Sequence, residues 1–267
     1  YNLLNANFFS IVTKLIILSR DYVGQKPLYY FIDKKKFIYS SSLVSILKTK
    51  LVKKEINNSA VHDFFTFATI NAPKTLFKDI LQVRPGENIT FNLKKNQIYK
   101  KFYWQIEKGP NYNKFFKHEL SIKEIFFNNF RNFTIADSKP YLFLSRGIDS
   151  NLIREILSNL KIKFKKISVV SENKNFDEFK KDHFKEKTNK VVLTNNNSKK
   201  ILKDLKNLLD NINGDPGLIP SYFLYYNLRK KTKFTIGGEG ADELFFGYPS
   251  FKAFKMFKGF ETCVASE

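Results

Sequence analysis

Between Tyr141 and Ile236, short apolar runs alternate with longer amphipathic stretches, and nothing else in the chain limits its fold so strongly. The runs Tyr141–Leu144, Lys165–Val170, Val191–Thr194 and Lys233–Ile236 have strand length and strand composition. Between them, Asn151–Leu160, Phe176–Thr188, Ser198–Leu209 and Leu218–Lys230 are spaced as helices, and Phe115–Phe133 precedes the series as another. Strands that alternate with helices imply an α/β fold, a parallel sheet with helices on both faces. Such sheets bind ligands beyond the carboxyl ends of their strands. Two segments lie there, the loop after Leu144 and the loop after Ile236.

The first hundred residues follow a different pattern. Ile11–Ser19 reads as a strand, and Pro27–Ile32 and Phe37–Ser40 read as a hairpin closed by the polar turn at 33–36. A short helix is predicted over Ser41–Lys50, capped by Ser41 or Ser42, and a second over Ser59–Thr66. Gly86–Leu93 and Gln97–Tyr103 alternate like strands around a Lys-Lys-Asn turn, and 108–114 reads as a linker.

Composition removes several classes of function. Hydrophobic residues make up 43% of the 267, enough for a core. There is no uncharged apolar run of about 18 residues, so no membrane span is expected. The single thiol, Cys263, rules out an internal disulfide or a multi-cysteine zinc site, and a cytoplasmic protein is expected. His62, His118 and His183 are too dispersed for a metal motif. The net charge of +21 is spread along the chain without an arginine-rich stripe, which argues against nucleic acid as a partner.

The loop Ser145-Arg146-Gly147-Ile148-Asp149-Ser150 joins a strand to a helix. Its small and hydroxyl residues, with the helix start behind them, suit a phosphate. Asp149 beside an anion is explained by Mg2+ bridging carboxylate and phosphate; the bland alternative is that Asp149 or Ser150 only caps the helix. The loop Gly237-Gly238-Glu239-Gly240-Ala241-Asp242-Glu243-Leu244 has three glycines for close backbone approach and three carboxylates for metal or proton transfer. A flexible turn into an acidic helix start is its alternative.

These loops carry a resemblance. Leu144 to Ser150 is similar to the S-G-G-x-D-S pyrophosphate loop of the N-type ATP pyrophosphatases. Gly238-Glu239-Gly240-Ala241-Asp242-Glu243-Leu244-Phe245-Phe246-Gly247-Tyr248 resembles the S-G-[DE]-G-x-D-E-x-F-G-G-Y signature of asparagine synthetase. Asp215-Pro216-Gly217-Leu218-Ile219-Pro220-Ser221-Tyr222 is similar to that family's D-P-x-x-I-P-[ST]-Y segment. Arg20-Asp21-Tyr22-Val23-Gly24-Gln25-Lys26-Pro27-Leu28-Tyr29-Tyr30 resembles the A-R-D-x-x-G-x-K-P-L-Y-Y run of its glutaminase domain. Thr75-Leu76-Phe77-Lys78-Asp79-Ile80 with Arg84-Pro85-Gly86 resembles its T-L-F-x-x-I…P-P-G connection. Arg146, Gly237 and Phe246 depart from the pattern, standing where the family usually has glycine, serine and glycine.

The resemblance implies a parallel five-stranded-type sheet of the N-type ATP pyrophosphatase class (adenine nucleotide alpha hydrolase-like), preceded by a β-rich remnant of an Ntn-type glutaminase domain. It divides the chain into residues 1–50 from the glutamine amidotransferase domain, 51–114 connecting, and 115–267 from the synthetase domain. On this reading the chain is the middle portion of a longer protein, without the amino-terminal cysteine nucleophile and the C-terminal helical part. The implied reaction is ATP- and Mg2+-dependent adenylation of a carboxylate, aspartate first, then amidation by glutamine-derived ammonia. A sugar acid or a β-lactam precursor as acceptor, a non-catalytic remnant, and a basic nucleic-acid-binding protein are the competing readings. Leu144, Ser145, Arg146, Gly147, Asp149, Ser150, Val169, Gly237 and Gly238 would bind the nucleotide. Asp149 and Asp242 would hold the metal, and Glu239, Asp149 and Asp242 would be the catalytic set. Asp215 would lie near the acceptor or cap the helix from Leu218, Arg20 and Asp21 read as structural, and a homodimer is a candidate assembly.

Overall fold

The computed structural model describes residues 6–10, 13–105, 119–133, 139–171, 188–208, 212–251 and 253. The chain forms two compact units, residues 1–110 with 203–216 and residues 111–202 with 217–267. The linker expected at 108–114, the helix expected at Phe176–Thr188 except for Thr188 itself, and the first residues of the Ile11 and Phe115 segments fall outside the described residues.

In chain order the first elements are β1 (Ala6–Ser10), β2 (Leu15–Ser19), β3 (Tyr29–Ile32), β4 (Phe37–Ser40), α1 (Leu43–Lys48), α2 (Asn58–Phe67), β5 (Ile80–Gln82), β6 (Glu87–Asn92) and β7 (Gln97–Phe102). They build two antiparallel sheets, ordered β1-β2-β6-β7 and β4-β3-β5. The turns of the β3–β4 and β6–β7 hairpins rest on local side-chain chemistry. The Asp33 carboxylate accepts the N–H groups of Lys35 and Lys36, each at 2.7 Å. The Asn92 amide oxygen accepts those of Lys94 and Lys95 at 2.9 and 3.1 Å. Ser42, not Ser41, caps α1, its hydroxyl accepting from the Ser45 N–H. β1 and β5 were not expected from the sequence; β5 has three residues and exists through pairing with β3.

β3 is buried on both faces, which explains the continuous apolar run there. Tyr29 and Phe31 pack with Leu43, Ile46, Val52 and Ile80, while Tyr30 packs with Leu18, Leu28, Val83 and Ile89. Arg20 donates to the carbonyls of Lys26, Val83 and Gly24, and the Asp21 carboxylate accepts from the N–H groups of Gln25 and Lys26. Both residues are buried, and these bonds lie within the β-rich part rather than tying it to the synthetase part. Burial holds the Arg20 guanidinium below its ordinary value, opposed by the neighbouring Asp21 charge.

The remaining elements are α3 (Glu119–Phe133), β8 (Tyr141–Phe143), α4 (Ile148–Asn159), β9 (Lys165–Ser171), β10 (Asn189–Leu193), α5 (Asn195–Leu208), α6 (Leu218–Leu228), β11 (Thr235–Ile236) and α7 (Ala241–Phe245). The four strands form one all-parallel sheet, β10-β9-β8-β11. Among the described residues the sheet therefore has four strands rather than the expected five, because this region supplies four apolar runs and each becomes one strand. One face buries Leu142, Leu144 and Ile236 against Ile153 and Leu157 of α4, with Phe130 of α3 beside them. The other buries Tyr141, Phe143 and Ile167 against Leu228 and Leu224 of α6. Fully buried side chains such as Leu142 and Leu157 each contribute about 1.5–3 kcal/mol. No helix among the described residues is long and apolar enough to cross a membrane.

Candidate active site at the ends of the parallel strands

β8 ends in a tightly held turn. The Leu144 N–H donates to the Ile167 carbonyl at 2.9 Å, and the Leu144 carbonyl accepts the buried Ser168 hydroxyl at 2.6 Å. The Ser150 hydroxyl then accepts the Ser145 N–H at 3.1 Å and lies 3.0 Å from the Ser145 hydroxyl, which itself accepts the Gly147 N–H at 3.0 Å. Asn151 closes the loop by donating to the carbonyls of Ser145 and Gly147. Arg146, Gly147 and Ile148 form the exposed rim of this loop.

α4 begins three residues earlier than the sequence pattern indicated, so Asp149 and Ser150 lie within its first turn. Gly147 is the N-cap and no side chain caps the helix. The alternative that Asp149 or Ser150 caps it is thereby removed. First-turn N–H groups without a capping side chain, on a helix of 12 residues, are suited to an anion.

β11, the neighbour of β8, feeds the second loop. A Cβ added to Gly238 would stand 3.1 Å from the Asp149 Cβ and 3.5 Å from the Ser150 nitrogen, so the two loops meet there. The Glu239 carboxylate folds back into the space that a Gly237 side chain would fill. Gly240 has φ 93°, a conformation that suits glycine, and starts α7. The Asp242 carboxylate lies against Gly247, whose N–H donates to the Asp242 carbonyl at 3.0 Å. Tyr248 donates its hydroxyl to Glu243 at 2.8 Å.

Leu144, Ser145, Arg146 and Gly147 with Asp149 and Ser150 of α4 thus form one segment, and Gly237, Gly238 and Glu239 with Asp242 of α7 the other, joined where Gly238 meets Asp149. Val169 lies on β9, paired with Val191. Asp149 and Asp242 are half-buried and Glu239 is exposed. No group of three His, Cys, Asp or Glu gathers for a metal among the described residues. Mg2+ needs fewer protein ligands, commonly one or two carboxylates with phosphate oxygens and water. Asp215 is exposed and does not cap α6, whose N-cap is Gly217 with no side-chain hydrogen bond.

Two residues at the site escaped sequence reasoning. Ser168 was legible in principle, as one hydroxyl inside an apolar strand run. Tyr225 had no such signal, because α6 is apolar nearly all round. Its ring meets Phe143 edge-on at 5.0 Å. Burial and then the nearby Glu239 charge push its phenol up, partly offset by a hydrogen bond with the Thr235 side chain.

A parallel sheet covered on both faces, with two polar loops meeting at the ends of adjacent strands, places the molecule among the open α/β proteins that work at their strand ends. Residues 122–262 match the asparagine synthase family model, and residues 7–104 match that of a glutamine amidotransferase domain. The chain belongs to the asparagine synthase family. It is 28% identical over 246 residues, 88% of its length, to a Methanocaldococcus jannaschii protein named as a glutamine-hydrolysing asparagine synthetase. Asparagine synthetases 3 and 1 of Bacillus subtilis, both named as glutamine-hydrolysing, are 24% and 28% identical over 92% and 91% of the chain. The chain spans 47%, 43% and 39% of the length of these three relatives, less than half of each.

Proposed function

We propose that this chain is part of an ATP-dependent ligase that adenylates a small carboxylate, aspartate first, and amidates it with glutamine-derived ammonia to give asparagine, AMP and pyrophosphate. The observation that carries the reading is the contact of Gly238 with Asp149, which brings an anion-suited helix start and a glycine-carboxylate loop together at adjacent strand ends. The names of the relatives support glutamine as nitrogen source and asparagine as product. A cytoplasmic setting suits the single thiol.

On this reading the first-turn N–H groups of α4 and the small residues Ser145, Gly147 and Ser150 receive the pyrophosphate, and Leu144, Val169, Gly237 and Gly238 flank the nucleotide. Arg146, on the exposed rim, supplies a charge-assisted contact to the leaving phosphate oxygens. Asp149 and Asp242 would hold Mg2+, which when bound neutralises triphosphate charge. Glu239 accepts a proton from the incoming nitrogen as the amide forms.

Pyrophosphate–ATP exchange tests the adenylation step. In the full-length protein we expect aspartate-dependent exchange, lost by at least about a hundredfold in Asp149→Asn because a charged contact in the transition state is removed. Calorimetry should show the same variant binding Mg-ATP more weakly while adenosine binding changes little. Exchange stimulated by a different carboxylate and not by aspartate would reassign the acceptor. Absence of exchange with any carboxylate would refute the ligase reading.

A further inference from the structure

Tyr225 belongs to no motif, yet the pleat of the parallel sheet brings it to Glu239. Thr235 pairs with Tyr141 and Ile236 with Leu142. Tyr141 packs under α6, whereas Leu142 and Ile236 pack on the opposite face with α4. Thr235 therefore faces α6, and the alternation of side-chain direction continued past the strand end turns the Cβ direction of Gly237 the same way. The Glu239 carboxylate occupies that direction. It lies on the α6 face of the sheet, where Tyr225 stands edge-on to Phe143 at 5.0 Å and hydrogen-bonds with Thr235.

We propose that Tyr225 is a positioning residue for Glu239: the phenol, braced by Phe143 and Thr235, bounds the space over Gly237 in which the carboxylate lies, and so sets where the amine nucleophile is received. The inference rests on the amidotransferase reading and adds a residue to it. In the amidation step the ammonia lone pair forms the C–N bond to the activated carbonyl carbon. The C–O bond to the adenylate phosphate breaks with its electron pair leaving on AMP, and the nitrogen gives one proton to Glu239. A nitrogen poised for this attack is held by an oxygen acceptor, and here that acceptor is the carboxylate of Glu239, in the space that Tyr225 bounds. The absence of a side chain at Gly237 leaves room for this arrangement. The Glu239 charge also acts to push the Tyr225 phenol up, after burial.

The test uses the full-length protein with ammonium as nitrogen donor. Tyr225→Phe keeps the ring on Phe143 and removes only the hydroxyl, so the fold should persist. The KM for ammonium should rise about tenfold, the worth of one hydrogen bond near 1.4 kcal/mol, while the KM for ATP moves by less than about twofold. A Tyr225→Phe enzyme with the ammonium KM of the parent overturns the proposal. A second readout needs no turnover: in protein labelled with 13C at tyrosine Cζ, the Tyr225 signal is assigned by its loss in Tyr225→Phe and titrated. Its midpoint should fall in Glu239→Gln, and an unmoved midpoint overturns the pairing. If the parent forms no AMP with any carboxylate, the ligase reading fails while the titration still judges the contact.

Discussion

Replacing Ser168 by alanine tests whether the first loop is held from beneath by the neighbouring strand. The Ser168 hydroxyl, 2% exposed with its residue, donates to the Leu144 carbonyl at 2.6 Å, at the point where β8 becomes the loop. Leu144 is itself 4% exposed, so water does not readily replace the lost donor. Removing one partner of a buried pair costs about 1–3 kcal/mol, and since no methylene is lost, a cavity adds little. Ser168→Ala should therefore lower stability by about 1–3 kcal/mol, seen as a shift in urea midpoint at constant slope, or as a fall in Tm of about 2–4 °C for each kcal/mol. Ser158→Ala, at an exposed helical position, should change stability by no more than about 0.5 kcal/mol. Mg-ATP binding should weaken in parallel, because the Leu144–Ser145 peptide loses its anchor. A Ser168→Ala protein as stable as the Ser158→Ala control would refute the reasoning, since the hydroxyl would then hold nothing that matters to the fold.

Gly238→Ala places a methyl about 3.1 Å from the Asp149 Cβ, short of ordinary carbon contact, and should cost about 1–3 kcal/mol with weakened Mg-ATP binding by calorimetry; unchanged affinity would mean that the loops separate freely. Arg146→Gly should weaken pyrophosphate binding by about tenfold, the worth of one charge-assisted hydrogen bond; tighter binding would show that the arginine obstructs the loop. An alkaline limb is also expected. Burial and Asp21 raise the Tyr103 phenol, and burial and Glu239 raise that of Tyr225, above the ordinary 10.0. The folded protein holds these protons more tightly than the unfolded chain, so their contribution is intact below pH 10.0 and is lost as pH rises through the raised folded values. Urea midpoints should fall from about pH 10 upward, and a Tyr103→Phe/Tyr225→Phe double variant should show a shallower fall; parallel profiles would count against both shifts.

Much of this protein is written locally. The hairpin turns at Asp33 and Asn92 depend on a side chain bonding its own backbone two and three residues on, so they were legible without any partner. The strand–helix rhythm from Tyr141 to Ile236 follows from which side chains one face of an element must bury, and it located both loops before their geometry was known. Residue type alone also marked Asp149, Glu239 and Asp242 as chemistry-bearing groups. Other features depend on contacts between distant residues. β5 is a strand because Leu81 finds Tyr30 fifty-one residues earlier, a pairing that no three-residue window encodes. Gly238 meets Asp149 only because β11 and β8 are neighbours in the sheet, although 94 positions (235 minus 141) separate their first members, Tyr141 and Thr235. Tyr225 comes to Glu239 because α6 packs on the face toward which Thr235 points. Periodicity and turn chemistry act over a few residues and can be read from order alone; sheet neighbours and helix packing join residues whose separation along the chain carries no mark of their meeting, and these decided which of the candidate groups share a site.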